Sequence, residues 1–209
     1  MPSDPDPIVG PPARVSGNHG GYATPGLGEP RDHDLWEAHA DWWIEGFTEG
    51  ADPEYVEQIL PLAAAELDGS DRILDLGCGD GQISRLLAAA GARVVGVDPT
   101  WNQISVAHER GGGAVFARSE AAELPFPDMS FDAVVACLVF EHIDDVDGAI
   151  AEVARVLRPG GQFSFFLNHP LLQTPGSGWI DDHTVDPPEQ YWRIGPYLVE
   201  QDSVEQVEQ

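Results

Sequence analysis

The sequence predicts an α/β fold, a doubly wound, mostly parallel sheet with helices on both faces. Two observations support this prediction. Between residues 72 and 167, short apolar runs typical of buried strands alternate with segments whose apolar residues recur at helical spacing. A turn that contains Gly77, Gly79 and Gly81 joins the first of these strands to the first of these helices. Repeated strand and helix units of this kind imply a parallel sheet with right-handed crossovers.

Helical spacing begins before this alternation. Aromatic and aliphatic residues between Trp36 and Phe47 recur with the period of a helix, and acids lie between them. A second helix is predicted from Pro53 to about Leu67, because proline is favoured in a first helical turn. The sequence leaves two roles open for these helices, which are packing on the domain core and covering a binding site. One helix can serve both.

The alternating elements then follow in order. Strands are predicted near Arg72–Leu76, Arg93–Val97, Ala114–Ala117, Phe131–Ala136 and Gln162–Leu167. Helices are predicted near Gln82–Ala90, near Trp101–Arg110 and from Asp145 to about Arg158. Asp145 is a predicted N-cap, and Pro159 ends its helix. The predicted apolar face of this last helix contains Val146, Ala149, Ile150, Val153 and Leu157.

The acids around the glycine turn indicate what it binds. Its glycines allow a sharp turn and let a ligand lie against bare main chain. A dinucleotide would place its pyrophosphate on the following helix N-terminus, where Asp75 and Asp80 would repel it. The glycine spacing G-x-G-x-G also differs from the dinucleotide pattern G-x-G-x-x-G. S-adenosylmethionine carries a sulfonium and an ammonium group and no phosphate, so these acids favour it. A structural turn without a ligand is the alternative.

Asp98 ends the second predicted strand. It lies about twenty residues beyond the glycine turn, where an acid that binds ribose is found in nucleotide-binding folds. A carboxylate at this place accepts hydrogen bonds from both ribose hydroxyls. The alternative is a cap for the helix that begins near Trp101, and Pro99 also fits that alternative.

The chain resembles the class I S-adenosylmethionine-dependent methyltransferases, of the type-11 small-molecule kind. Four segments in the order and spacing of that family carry the resemblance, namely Leu74–Gly81, Val95–Asp98, Ala121–Val134 and Glu152–Gly161. They lie within about half of the chain. The resemblance implies a Rossmann-like fold, S-adenosylmethionine as cofactor, and direct displacement of its sulfonium methyl by a small-molecule acceptor.

The resemblance also implies roles for single residues. Asp75 and the three glycines of the turn would hold the methionine part of the cofactor, and Asp98 would hold the ribose. Glu120, with Ala121 beside it, matches the acid that faces the adenine amine. Cys137 belongs to a segment after the fourth strand that lines the cofactor pocket in similar enzymes.

A general base is needed only if the acceptor must lose a proton. Two candidate catalytic residues are His142, which follows the fourth strand, and His169, which follows the fifth. The carboxyl ends of the strands are where ligands bind in such sheets. A structural cap is the alternative role for His142. The spacing of histidines and acids predicts no metal site.

Composition excludes some partners. The chain of 209 residues contains 36 Asp and Glu against 10 Lys and Arg, a formal net charge of −26. Such a field repels nucleic acid and anionic membranes, so we expect neither as a partner. The two cysteines are too few for a secreted disulfide framework. Because the sequence shows neither a signal peptide nor a membrane-spanning apolar segment, we predict a cytoplasmic protein.

We predict four regions along the chain. These are a disordered tail rich in Pro and Gly (1–32), a helical cap (33–70), the cofactor-binding core (71–168) and a loop-rich C-terminal segment (169–209). The complete family fold adds two strands after the fifth, whereas here only Tyr197–Val199 offers a short one. The fifth strand would then be a bare hydrophobic edge. We therefore expect a truncated chain, or a partner chain such as a second copy that covers this edge.

Two other functions stay open on the sequence alone. One is a module that binds S-adenosylmethionine without turnover, and the other, less favoured, is an NAD-dependent oxidoreductase. Turnover of acceptors separates the first from a methyltransferase. Binding of NADH against S-adenosylmethionine separates the second.

Overall fold

The computed structural model describes residues 32–169, 171 and 174–199. The predicted tail therefore lies outside the described residues, apart from Asp32, and so does the end of the chain from residue 200. The described residues divide after Leu167 into a large unit and a small C-terminal unit.

The large unit is built on one parallel sheet of five strands in the order β3-β2-β1-β4-β5. The strands are β1 (Arg72–Leu76), β2 (Arg93–Asp98), β3 (Val115–Arg118), β4 (Phe131–Cys137) and β5 (Leu157–Phe166). The helices are α1 (Asp32–Phe47), α2 (Leu60–Glu66) with a π-helical turn (Tyr55–Ile59) before it, α3 (Gln82–Ala89), α4 (Trp101–Arg110) and α5 (Val146–Val156). A short 3₁₀ turn (Phe140–His142) follows β4. This architecture confirms the predicted doubly wound, Rossmann-like α/β fold.

Both faces of the sheet are covered, because successive side chains of a strand point to opposite sides. Leu74 of β1 joins a buried cluster that includes Val153 of α5. Its neighbour Ile73 joins the opposite cluster, with Ile83 of α3 and Ala63 of α2. Burial on both faces explains why the strands are continuous apolar runs. The parallel arrangement also brings the carboxyl ends of all five strands to one edge of the sheet.

Three predictions for the last helix are wrong. Leu157, predicted on its apolar face, is the first residue of β5. The helix ends at Val156 and does not reach Arg158, because the residue before a proline disfavours helical backbone and Pro159 follows. Ile150, predicted on the apolar face, is 48% exposed. The side of α5 that contains Val153 is the one turned towards the sheet.

The strand β5 pairs only with β4 among the residues that the structure describes. Phe163 and Phe165 on this strand are 36% and 47% exposed, and Leu167, the residue after it, is 42% exposed. The rings of Phe163 and Phe165 contact Phe140, which is buried. The two explanations for this apolar edge, a truncated chain or a covering partner chain, stay predictions.

The small unit contains an antiparallel hairpin of β6 (Gly178–Asp182) and β7 (Glu189–Arg193), where the sequence predicts only loop. Trp179 lies opposite Trp192, and the two rings meet edge to face with centroids 5.4 Å apart. Aromatic pairs of this kind stabilise paired strands. The predicted strand at Tyr197–Val199 is wrong, because these residues form a turn.

The carboxylate of Asp132 connects the amino ends of β4 and β1. Its Oδ2 accepts hydrogen bonds from the backbone N–H groups of Asp71 (3.2 Å) and Arg72 (3.1 Å). We expect Asp132→Ala to lower the free energy of unfolding, measured in urea, by about 2–3 kcal/mol, because both N–H groups lose their acceptor. Asp68→Ala, at an exposed turn position, is the control and should change it by less than about 0.5 kcal/mol. Equal urea midpoints for the two variants would contradict this prediction.

Candidate active site

A cavity of about 410 Å³ lies at the carboxyl edge of the sheet, between α1 and the loops that follow β1, β2, β3 and β4. Because the strand order is β3-β2-β1-β4, these loops follow one another along the edge. Glu120 and Ala121, after β3, belong to one end of this row, and His142, after β4, belongs to the other. Asp98 and Asp75 line the cavity between them. The structure thus brings together most of the predicted site residues from four separate loops.

Two glycines of the turn after β1 are required for packing. Gly77 has φ +70°, and a Cβ there would overlap the side chain of Val139. Gly81 has φ +87°, and a Cβ there would lie 2.6 Å from the Phe116 ring. Positive φ and close contacts of this kind exclude larger residues. Gly77 lines the cavity, whereas Gly81, which we predicted as a cofactor residue, is not among the lining residues.

Gly79 is the glycine that leaves bare main chain towards the cavity. Its φ is +52°, and the nearest atom to a Cβ at this position would be Gln103 Oε1 at 3.7 Å. Gln103 also lines the cavity, and its Oε1 is buried without a hydrogen-bond partner among the described residues. Buried polar atoms normally have a partner. This acceptor beside bare main chain can therefore accept a hydrogen bond from a donor group of a ligand or from a water in the cavity.

The carboxylate of Asp98 is held by backbone N–H groups on both of its oxygens. Oδ2 accepts from Gly79 (3.1 Å) and Oδ1 accepts from Thr100 (2.8 Å). Burial raises the pKa of Asp98, and these hydrogen bonds oppose that shift. A carboxylate has about four acceptor positions, so it retains capacity for ligand hydroxyls. The hydrogen bond from Thr100 lies at the start of α4. Asp98 can therefore cap this helix and still accept hydrogen bonds from ribose hydroxyls.

Asp75 is buried in the middle of the row. Its Oδ2 accepts a hydrogen bond of 2.6 Å from Ser84 Oγ on α3. Burial is the main cause that raises the pKa of Asp75 to about 7. Among the described residues, neither Asp75 nor Asp98 forms an ion pair with an arginine, lysine or histidine. A cation in the cavity would provide the missing counter-charge.

The charge of Asp80 is balanced within the protein. Its carboxylate forms ion pairs with Arg85 at 3.3 Å and with Arg110. We expected Asp80 to repel an anionic ligand together with Asp75. The two arginines contradict that part of the argument, so the preference of the cavity for a cation depends on Asp75 and Asp98.

The end of the row at β4 is aromatic. His142 lies in the 3₁₀ turn, and its ring meets Trp36 of α1 edge to face with centroids 4.9 Å apart. Trp43, two helical turns further on, also lines the cavity and packs against the core cluster that includes Ala63 of α2 and Ile83 of α3. The helix α1 therefore packs on the core and contributes to the wall of the cavity. The other candidate base, His169, belongs to the small unit, where its Nδ1 accepts a hydrogen bond of 3.2 Å from the Leu171 N–H.

Sequence reasoning missed several lining residues, among them Gln103 and Tyr55. The Tyr55 hydroxyl donates to Cys137 Sγ over 3.6 Å. Tyr55 is the first residue of the π-helical turn, and such turns are frequent at functional sites. The sequence offered no signal for it, because an aromatic residue in an amphipathic segment indicates only a core position.

The two cysteines and the acids form no metal site in the part of the chain that the structure describes. Cys78 and Cys137 are free thiols that line the cavity. Burial raises the pKa of both thiols, so they are neutral at pH 7. No group of three or more His, Cys, Asp and Glu in residues 32–199, where described, can hold a metal ion. Likewise, none of the described helices is both long enough and apolar enough to cross a membrane.

Comparison with known proteins agrees with this geometry. Residues 74–165 match the family described as a methyltransferase domain. The chain is 35% identical over 144 residues to the 27-O-demethylrifamycin SV methyltransferase of Amycolatopsis mediterranei, covering 66% of this chain and 50% of that protein. It is 33% identical over 146 residues to the demethylmenaquinone methyltransferase of Thermobifida fusca, covering 62% of each. The chain thus spans from half to about three fifths of the length of these curated relatives.

A solved structure supports the same assignment. The S-adenosylmethionine-dependent methyltransferase from Mesorhizobium loti is 32% identical and superposes with a TM-score of 0.59, covering 66% of this chain and 65% of that chain. S-adenosylmethionine is the cofactor of the family that these matches define. Together these matches support a class I S-adenosylmethionine-dependent methyltransferase domain in residues 74–165.

Proposed function

We propose that this chain transfers the methyl group of S-adenosylmethionine to an uncharged small-molecule acceptor. One observation carries the proposal: the cavity over the glycine turn is lined by Asp75 and Asp98, two buried carboxylates without ion-pair partners among the described residues. The family match and the methyltransferase names of the relatives support the same reaction. The net charge of −26 supports an acceptor that is neither nucleic acid nor a membrane surface.

The residues that line the cavity fit this cofactor. Asp75 would lie near its positive charges, Asp98 would accept from its ribose hydroxyls, and Glu120 would lie towards its adenine. Gly79 leaves room for the cofactor against the backbone of the turn. Gln103 Oε1, which has no hydrogen-bond partner among the described residues, would accept from a donor group of the cofactor. When bound, S-adenosylmethionine supplies an electrophilic methyl group on a cationic sulfur that leaves as a neutral thioether.

The protein then needs to align the acceptor and, for a protonated acceptor, to remove a proton. Alignment alone contributes up to about 7–11 kcal/mol in well-oriented systems. His142 is the candidate base within the cavity, and its ring is oriented by contact with Trp36. It would accept the proton that an acceptor hydroxyl or amine loses as the new bond to carbon forms. The second predicted base, His169, is not among the residues that line this cavity.

The acceptor end of the cavity has a defined chemical character. The wall at this end is aromatic and aliphatic, and it is formed by Trp36, Trp43, Val139 and Ile143. Asp144 adds an acid to it. Aromatic wall favours a flat or apolar acceptor. The acids of the cavity and the negative field of the whole chain disfavour a carboxylate or phosphate on that acceptor.

The first test is cofactor binding to a Gly79→Ala variant. A Cβ at this position meets no protein atom closer than 3.7 Å, so it would occupy space that the cofactor needs. We expect S-adenosylmethionine affinity, measured by calorimetry, to fall at least tenfold, since about 1.4 kcal/mol of contact is then lost. Gly69→Ala, with φ +81° and nothing within 4 Å, is the control for backbone strain and should bind normally. Binding of NADH in place of S-adenosylmethionine by the wild type would refute the proposed function.

The second test is the pH dependence of binding. Because burial raises the pKa of Asp75 to about 7, its carboxyl is mostly protonated at pH 6 and ionised at pH 8. A cation prefers the ionised form, so S-adenosylmethionine affinity should rise by about tenfold over this interval. Asp75→Asn should bind weakly at both pH values. Asp71→Asn, at an exposed carboxylate that pairs with Arg93, should retain the rise. A wild-type affinity independent of pH would contradict the role of Asp75.

The third test is turnover. With labelled S-adenosylmethionine and a panel of phenols, hydroquinones and matched carboxylates, we expect methyl transfer to the neutral members. His142→Gln should lower kcat about 100-fold or more for hydroxyl acceptors, as expected for loss of a general base, with cofactor affinity unchanged. His108→Gln, at an exposed position on α4, is the control. Full turnover by His142→Gln would refute the base assignment. Cofactor binding without transfer to any acceptor would favour the binding module.

A further inference from the structure

Polar contacts hold α1 against α4 at both ends. Near the start of α1, the Glu37 carboxylate accepts from the backbone N–H groups of Trp101 (2.7 Å) and Asn102 (3.1 Å), the first two residues of α4. Just beyond the end of α1, Thr48 Oγ1 accepts a hydrogen bond of 3.1 Å from Arg110, the last residue of α4. The two helices therefore run side by side in the same direction.

Arg110 also reaches the glycine turn. Its guanidinium forms an ion pair with Asp80, whose side chain is 3% exposed, and a second ion pair with Glu49 at 3.4 Å. Glu49 and Thr48 directly follow α1. One arginine therefore connects the turn that lines the cofactor cavity to the end of the helix that covers it.

Gln82, the residue directly after the glycine turn, also contacts the residues at and beyond the end of α1. Its Nε2 donates to Phe47 O (3.2 Å), and its Oε1 accepts from Glu49 N (3.2 Å). Glu49 has φ +54°, a backbone conformation that residues other than glycine rarely adopt. Gln82 and Arg110 therefore both contact Glu49, the residue after α1 that adopts this backbone conformation.

The position of α1 determines the shape of the acceptor end of the cavity, because α1 carries Trp36 and Trp43 into its wall. We propose that Arg110 is a positioning residue that couples α1 to the glycine turn through Asp80, so that cofactor binding at the turn orders the acceptor wall. This inference rests on the proposed function, because it requires S-adenosylmethionine to bind at the turn. By linkage, an acceptor that contacts α1 must in return strengthen cofactor binding by the same factor.

Hydrogen exchange of the full chain, followed by mass spectrometry with and without saturating S-adenosylmethionine, tests the coupling. In the wild type we expect the cofactor to slow exchange about fivefold or more, both in residues 77–82 and in α1. In Arg110→Met the turn should still be protected, while the cofactor-dependent protection of α1 is lost. Arg110→Lys keeps the charge and should restore part of it. Arg93→Met, which removes an exposed ion pair with Asp71, is the control and should behave as wild type.

The ratio of exchange rates with and without cofactor separates coupling from a structural role. If Arg110 were merely structural, Arg110→Met would speed α1 exchange in both conditions and leave the ratio unchanged, and that result would overturn the inference. Should Arg110→Met not fold, as judged by circular dichroism, Thr48→Val removes one of the two contacts from Arg110 to the residues after α1 and should show part of the same loss. Absence of calorimetric S-adenosylmethionine binding by the wild type would overturn the proposed function as well. Binding with protection confined to residues 77–82 would overturn this inference alone.

Discussion

The carboxylates of Asp75 and Asp98 are buried side by side along the carboxyl edge of the sheet, and the described residues give neither of them an ion-pair partner. Burial of an unpaired charge is unfavourable, which is why the pKa of each is raised. Hydrogen bonds from Ser84, Gly79 and Thr100 offset only part of this penalty. A cation that enters the cavity offsets more of it. The same electrostatics that lowers the stability of the free protein therefore favours a positively charged cofactor.

The glycines of the turn determine how much space a ligand has beside these two carboxylates. Gly77 and Gly81 allow the turn to pack against Val139 and Phe116, and Gly79 leaves main chain open to a ligand. Asp80 faces the same cavity but is balanced by two arginines, so it contributes to architecture and adds no net preference for a cation. Whether one of these neighbouring acids favours a cation in the cavity therefore depends on whether an arginine forms an ion pair with it.

Much of the large unit is predictable because it depends on local patterns. Each of the five strands contains a predicted apolar run, although β5 begins at Leu157 and not at Gln162 as predicted. Asp145 caps α5 as predicted, since its carboxylate accepts from Gly148 N at 2.9 Å. The errors occur where local patterns conflict with packing. Ile150 fits a helical period but is turned away from the sheet, and the hairpin of β6 and β7 is hidden among prolines and glycines that usually mark loops.

The sequence by itself determined the order of strands and helices, the glycine turn and the acids that end β1 and β2, because each depends on residues within a few positions of one another. Only the tertiary structure decided that, among residues 32–199 where described, certain acids lack counter-charges and Gln103 Oε1 lacks a partner, and that α1 lines the cavity. Arg110 neutralises Asp80 across 30 residues, and Tyr55 reaches Cys137 across 82. Contacts over such separations depend on how helices dock on the sheet, and no periodicity in the chain encodes that docking.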